Sequence, residues 1–158
     1  MEETTRALRI IQALAERLQN VRIGEDQTPF AAIYLGRETL YGDGLDYPCA
    51  SVLETNEDPI EQQVDNARSE QTITVVGVTV SDPDQPLIAG HALCLAMMRA
   101  LFPNTETLCY GRDRLNSLAR RLTYFGREIY PREDGGRTTA VMITLRVEYA
   151  LRITDPAY

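Results

Sequence analysis

One apolar stretch constrains the fold of this 158-residue chain more than any other feature: PLIAGHALCLAMMRALFP, residues 86–103. Apart from its glycine and prolines, only His91 and Arg99 interrupt the apolar residues, so a helix here has almost no polar face. A helix that is apolar on all sides is normally covered on all sides. The cover is either the rest of the same subunit or a second copy of the chain, and the sequence leaves both open.

The composition of this stretch also limits what it can contact. It is too short and too interrupted to span a bilayer, so we expect no membrane association. Alanines recur along it at helical spacing, which allows a sheet or another helix to approach closely: Ala89, Ala92, Ala96 and Ala100.

The rest of the chain predicts an α+β fold in a single domain, 1–158. An amphipathic helix is indicated over 4–21, and the apolar helix lies near the middle of the chain. Strand patterns occur near 30–41 and over 48–55, 72–82, 123–132 and 138–153. We expect a mostly antiparallel sheet with the N-terminal helix and the central apolar helix packed on it.

Three connecting segments are less regular. Residues 55–70 form a polar stretch that Asp58-Pro59 interrupts, and we expect it to be a hairpin arm between two strands. Turns are expected at Gly42-Asp43-Gly44 and at 133–136. Over 104–123, the spacing of Leu115, Leu118 and Leu122 allows a short helix.

Charge and cysteine content exclude several classes of protein. The net charge is −7, and the basic footprint that a dedicated nucleic-acid binder needs is missing. The three cysteines, Cys49, Cys94 and Cys109, show no CxxC spacing and accompany a single histidine, so we expect reduced thiols and no zinc site. The N-terminus has no basic region followed by an apolar one, so no signal peptide is expected.

No group of residues predicts catalysis, and we expect neither an enzyme nor a cofactor or metal. His91 is expected to be a partnered or helix-edge residue rather than a general base, and Cys94 a buried structural thiol. The aspartate pairs 43/46 and 82/84 lie in turns, where aspartate bonds the local backbone.

Charge is distributed unevenly along the chain. Residues 54–70 carry six acidic residues against Arg68 alone, whereas 112–137 carry seven arginines against four acidic residues. These are either two solvated surfaces or complementary patches that meet head to tail between copies and close into a ring. The second hypothesis gives these candidate interface residues: Glu57, Asp58, Glu61, Asp65, Arg120, Arg121, Arg127 and Arg132.

The order of motifs resembles a known family. An N-terminal amphipathic helix is followed by YPCASVLE, an acidic polar segment and RSEQTITVVGVTVSDPD, then by the apolar helix and finally YPREDGGRTTAVMITLRVEYALRITDP. This order resembles the tail terminator proteins of long-tailed bacteriophages, the family that includes the lambda-type minor tail protein U. The matching pieces are Pro48–Glu54, Glu57–Glu70, Thr72–Asp82 and Arg132–Tyr149.

The resemblance implies a structural role in the virion. Such proteins form a homohexameric ring that caps the head-proximal end of the tail tube, stops elongation of the tube and offers a docking surface to the head and neck. The implied partners are other copies of the chain, the tail tube protein and a neck or head-completion protein, assembled in the host cytoplasm. DNA passes through such a ring without specific binding, which fits an acidic chain. The alternatives are a head–tail joining protein of the neck, or a small cytosolic ligand-binding domain.

Overall fold

The computed structural model describes residues 3–42, 44–103, 115, 117–132 and 136–158. Along these ranges the elements are α1 (Arg6–Leu18), β1 (Ala32–Leu35), β2 (Cys49–Gln63), β3 (Asn66–Val80), α2 (Pro86–Leu101), β4 (Arg121–Pro131) and β5 (Thr138–Arg152). The strands form one sheet in the order β1-β2-β3-β5-β4. All neighbours are antiparallel except β1 and β2, which are parallel. The predicted α+β class with two packed helices is confirmed.

The two helices cover one face of the sheet. Along β3 and β5 alternate residues point to this face, and Ile73, Val75, Ile143 and Leu145 are fully buried there. The amphipathic α1 begins after Thr5, whose hydroxyl accepts a hydrogen bond from the backbone N–H of Leu8. This face therefore holds the main core of the subunit.

Glycines allow α2 to lie close to the sheet. A Cβ atom on Gly77 in β3 would lie 2.7 Å from the sulfur of Met97, and one on Gly90 in α2 would lie 2.7 Å from Cγ2 of Ile129. Real Cβ contacts are longer than this, so the missing side chains allow the helix to approach the sheet. Of the four alanines with helical spacing, Ala96 and Ala100 are buried, whereas Ala89 and Ala92 line an open groove.

The hairpin of β2 and β3 runs straight through the polar segment. The prediction that Asp58-Pro59 breaks this segment is wrong, because Pro59 lies within β2 and is opposite Ser69 of β3. Proline is tolerated on an edge strand, where its nitrogen need not donate to a neighbour. The register shifts between Pro59 and Glu61, which absorbs one extra residue.

The other expected connections differ in detail. The strand expected near 30–41 is only β1, and it ends before Gly36, whose φ is 87°. The possible short helix is wrong for the described residues, since Leu115 and Leu118 lie in a turn and Leu122 belongs to β4. Residues 104–114, Asp43 and 133–135, with Cys109 and the centres of two expected turns, lie outside the described residues. Within the described ranges, no helix has the length and hydropathy needed to cross a membrane.

Candidate subunit interface

The far side of α2 is not covered by the residues that the structure describes. Leu87, Ile88 and Leu95 are 52%, 67% and 51% exposed, so the alternative of complete burial within one subunit is wrong. His91 is exposed on the same helix, which confirms its expected position at a helix edge. An open groove of about 610 Å³ lies beside Ile88 and is lined in part by Val80 and Arg137. Exposed apolar surface of this kind is typical of a chain that contacts another macromolecule.

Most of β2 forms a free edge of the sheet. The parallel partner β1 pairs only with Cys49–Val52, and every residue from Glu54 to Gln63 is exposed. Three of the predicted interface residues lie on this edge: Glu57, Asp58 and Glu61. Together with Glu54 they make the free part of β2 acidic; we call residues 53–63 the acidic edge.

Two of these carboxylates also have contacts within the subunit. The hydroxyl of Tyr149 on β5 donates to Glu57 Oε2 at 2.5 Å, reaching diagonally across β3. Burial, and then this hydrogen bond, raise the pKa of Tyr149 above its usual range. Glu61 lies 3.7 Å from the guanidinium of Arg68, an exposed ion pair that contributes little to stability. Glu57 is therefore held on the helix-covered face of the sheet.

Asp65 has a structural role at the turn of the hairpin. Its two carboxylate oxygens accept hydrogen bonds of 2.8 Å from the backbone N–H and the hydroxyl of Thr154, and its carbonyl accepts one from the N–H of Ile153. The bonds from Thr154 hold the pKa of Asp65 below its usual value. This predicted interface residue thus ties the hairpin turn to the end of the chain that follows β5.

The opposite edge of the sheet, β4, is basic and aromatic. Arg121 and Arg127 are exposed on it, with Arg120 immediately before it. Exposed aromatic side chains lie between and beyond them: Tyr124, Phe125 and Tyr130. Arg121 forms no ion pair with any described residue. We call residues 120–131 the basic edge.

Arg132 behaves differently from the other predicted arginines. Its guanidinium lies 5.4 Å from the ring centre of Tyr41, beyond the end of β4. That ring belongs to the loop between β1 and β2, which covers one end of the second sheet face around Leu40 and Val78. Arg132 is therefore grouped with this small second core rather than with the basic edge.

The acidic and basic edges are separated by β3 and β5 within one subunit. The intervening charges are paired on the face away from the helices, with Arg68 3.3 Å from Glu148 and Arg146 3.4 Å from Glu70. Arg146 also stacks over Phe125. One groove of about 180 Å³ does bring a predicted acidic and a predicted basic residue together, Glu61 and Arg120.

Sequence reasoning missed Arg68, Arg146 and Tyr149, which set the electrostatics between the edges. Their partners are remote in sequence, and only the register of β3 against β5 places them together. Tyr149 belongs to the strand pattern over 138–153, which carries no signal that its hydroxyl meets Glu57.

Nothing in the described ranges resembles a reactive centre. Burial raises the pKa of the Cys49 and Cys94 thiols, which makes thiolate chemistry unfavourable there. Asp82 accepts a hydrogen bond from the backbone N–H of Asp84, the local turn bonding expected of this pair. Among the residues that the structure describes, no three His, Cys, Asp or Glu side chains are grouped to hold a metal ion.

Similarity to known proteins is found among solved structures. No protein-family model and no curated protein matches the chain. Among solved structures, it is similar to a chain described as "Virion of native gene transfer agent (GTA) particle", with 14% sequence identity and a TM-score of 0.47. The match covers 88% of this chain and 90% of that chain.

Proposed function

We propose that this chain is a non-enzymatic structural protein of a phage-like virion, a tail terminator. In this role, copies form a ring at the head-proximal end of the tail tube. The resemblance to tail terminators implies that the ring is a hexamer. The ring stops addition of tube protein and gives the head and neck a docking surface. The observation that supports it best is the opposite charge of the two opposite sheet edges, acidic on β2 and basic on β4.

Opposite charges on opposite edges favour a head-to-tail arrangement. Two acidic edges repel one another, and so do two basic edges, which disfavours a two-fold dimer through either edge. An acidic edge that meets a basic edge leaves one free edge of each kind on the pair. Such heterologous contacts continue until the rotation between copies closes a ring.

The remaining surface fits a role in an assembly. The exposed side of α2 gives each copy apolar area that a lone subunit leaves in water, and such area is typical of contact surfaces. The net charge of −7 disfavours adhesion to DNA that passes through a ring, since like charges repel.

Deletion of the gene, followed by negative-stain electron microscopy of the resulting particles, tests this function. We expect overlong, irregular tails and unjoined heads, and normal tails when the wild-type gene is supplied in trans. Tails of normal length detached from filled heads would instead assign the chain to the neck as a head–tail joining protein. Normal infectious particles would refute a virion role.

The edge charges can be tested in the same complementation assay. A gene carrying Arg120→Glu and Arg121→Glu reverses two charges of the basic edge and should fail to restore normal tails. Arg22→Glu is the matched control, because Arg22 is an exposed arginine outside the sheet whose guanidinium bonds nearby backbone carbonyls. Full complementation by the double variant would discard the proposed contact between the charged edges.

A further inference from the structure

Both edges of the sheet carry free backbone groups of matching length. β4 has 11 residues and, among the described residues, pairs with β5 on one side only. The acidic edge, residues 53–63, is equally long and pairs only with β3. The outward N–H and C=O groups of an edge strand form a template to which another strand can add.

We propose that β4 of one copy adds to the acidic edge of the next copy, so that one antiparallel sheet continues around the ring. This inference rests on the proposed ring and specifies how its subunits join. β2, β3, β5 and β4 alternate in direction, so the next β2 lies antiparallel to β4 when the sheets continue in the same sense. The occupant of the acidic edge is therefore a second copy of this chain.

The features of the acidic edge select the partner strand. It carries two register irregularities and Pro59, devices by which edge strands avoid indiscriminate pairing. Its carboxylates repel another acidic edge and attract the arginines of β4. The edge is thus unsuited to pairing with itself but suited to the opposite edge of a neighbour.

The register of the pairing follows from rows of residues that pair across the sheet. One such row runs Asp58, Glu70, Glu148 and Arg121 across the four long strands. If neighbouring copies had no offset along the strand direction, a level arrangement, each row would continue into the same row of the next copy. However, β1 already pairs with Cys49–Val52, in the rows that Arg127–Ile129 and Tyr130 occupy on β4. A level arrangement would make β4 of the neighbour collide with β1.

An offset between copies removes the collision. It must be an even number of rows, because an odd offset would place core-facing side chains opposite side chains of the other face. An offset of about two rows still overlaps β1, whereas about six or eight rows would set Glu128 opposite Asp58 or Glu61, a like-charge pair. An offset of about four rows leaves only the last residue of β4, Pro131, level with the end of β1 at Val52. It sets Arg127 opposite Glu57 and Glu128 opposite a neutral residue, Asn56.

The offset also agrees with the geometry of closed sheets. Four rows correspond to about 13 Å along the strands, and four strands to about 19 Å across them. The two lengths give a strand tilt of about 35° from the ring axis, which is within the range found when sheets close into barrels. The register chosen by charge and by β1 is therefore one in which the sheet can close.

Paired cysteines test this register directly. In a four-row offset, Thr123 of one copy lies opposite Glu61 of the next; in a level arrangement it lies opposite Asn56. We would compare Glu61→Cys/Thr123→Cys with Asn56→Cys/Thr123→Cys, both with Cys109→Ser to remove the cysteine outside the described ranges. Cys49 and Cys94 are buried and can remain. Each protein is oxidised mildly at high concentration, analysed on non-reducing gels, and sized in parallel by light scattering.

We expect a disulfide-linked ladder for the first pair, with a linked fraction roughly tenfold above that of the second, because a disulfide requires the two Cα atoms within about 7 Å. Linkage of the second pair alone would overturn the offset. A stable oligomer that neither pair links would overturn edge pairing but leave the ring. A wild-type chain that stays monomeric at high concentration would overturn both the edge pairing and the ring.

Discussion

Charge reversal at Arg127 should weaken the assembly, because the proposed register sets this residue opposite Glu57 of the next copy. A cross-strand pair of opposite charges contributes about 0.2–1 kcal/mol, and a like-charge pair is unfavourable by a similar amount. Reversal should therefore cost up to about 2 kcal/mol at each interface. That energy corresponds to a rise of up to about thirtyfold in the dissociation constant between neighbours.

The structure places this estimate in the lower half of its range. Glu57 is exposed and already accepts a hydrogen bond from Tyr149, so water and the tyrosine share its charge. The effect should also shrink as salt is added, since exposed charges are screened over about 10 Å at 0.1 M ionic strength. We expect about a two- to fivefold weaker association for Arg127→Glu at low salt.

Sedimentation equilibrium at low and high salt measures this difference. Arg132→Glu is the matched control, because Arg132 lies beyond β4 beside Tyr41 and outside the proposed ladder. The double variant Glu57→Arg/Arg127→Glu restores the pair with reversed polarity and should recover part of the association. Equal dissociation constants for the wild type, Arg127→Glu and Arg132→Glu would refute the proposed register.

Three further predictions concern the subunit itself. Gly90→Ala gains about 1 kcal/mol of helix propensity but overpacks the contact with Ile129 by about 1–3 kcal/mol, so urea unfolding should show a net loss of up to about 2 kcal/mol, and a net gain of about 1 kcal/mol would contradict this packing. Asp65→Asn should destabilise the fold at neutral pH: the folded pKa of Asp65 is lowered, so its stabilisation is present above the titration range of a free aspartate and is lost as pH falls through the folded pKa. The free energy of unfolding of Asp65→Asn should therefore approach that of the wild type in acid. An equal difference between the two proteins above and below the folded pKa of Asp65 would contradict this. Tyr149→Phe should cost about 1 kcal/mol in the free energy of unfolding, since water can replace the hydroxyl at exposed Glu57, and adding Glu57→Gln should cost little more; additive losses would show that the two side chains do not interact.

Local patterns were enough to predict most of the elements. The strand pattern over 138–153 corresponds to β5, in which Val141 to Val147 are buried at every second residue. The apolar composition of α2 showed that the helix needs cover on more than one side but left open what supplies it, and Leu95 and Ile88 are exposed. These features are determined by residues close in sequence, whose periodicity is visible without knowledge of their neighbours.

The remaining features of the fold depend on contacts between residues that are distant in sequence. Pro59 looked like a break in the polar segment because its tolerance depends on lying at an edge of the sheet, which is a property of strand order. The pairing of β1 with β2 is parallel and short, and no local pattern distinguishes that pairing from a hairpin.

The separation of charge was visible in the sequence as an acidic segment and an arginine-rich one. The sequence by itself therefore determined which residues can attract one another. Only the tertiary structure decided that Glu57 and Arg127 lie on opposite edges of one sheet, that Asp65 is engaged by Thr154, and that β1 blocks part of one edge. The physical reason is that composition fixes the sign of a charge, whereas strand order and register fix its position and the groups it can reach.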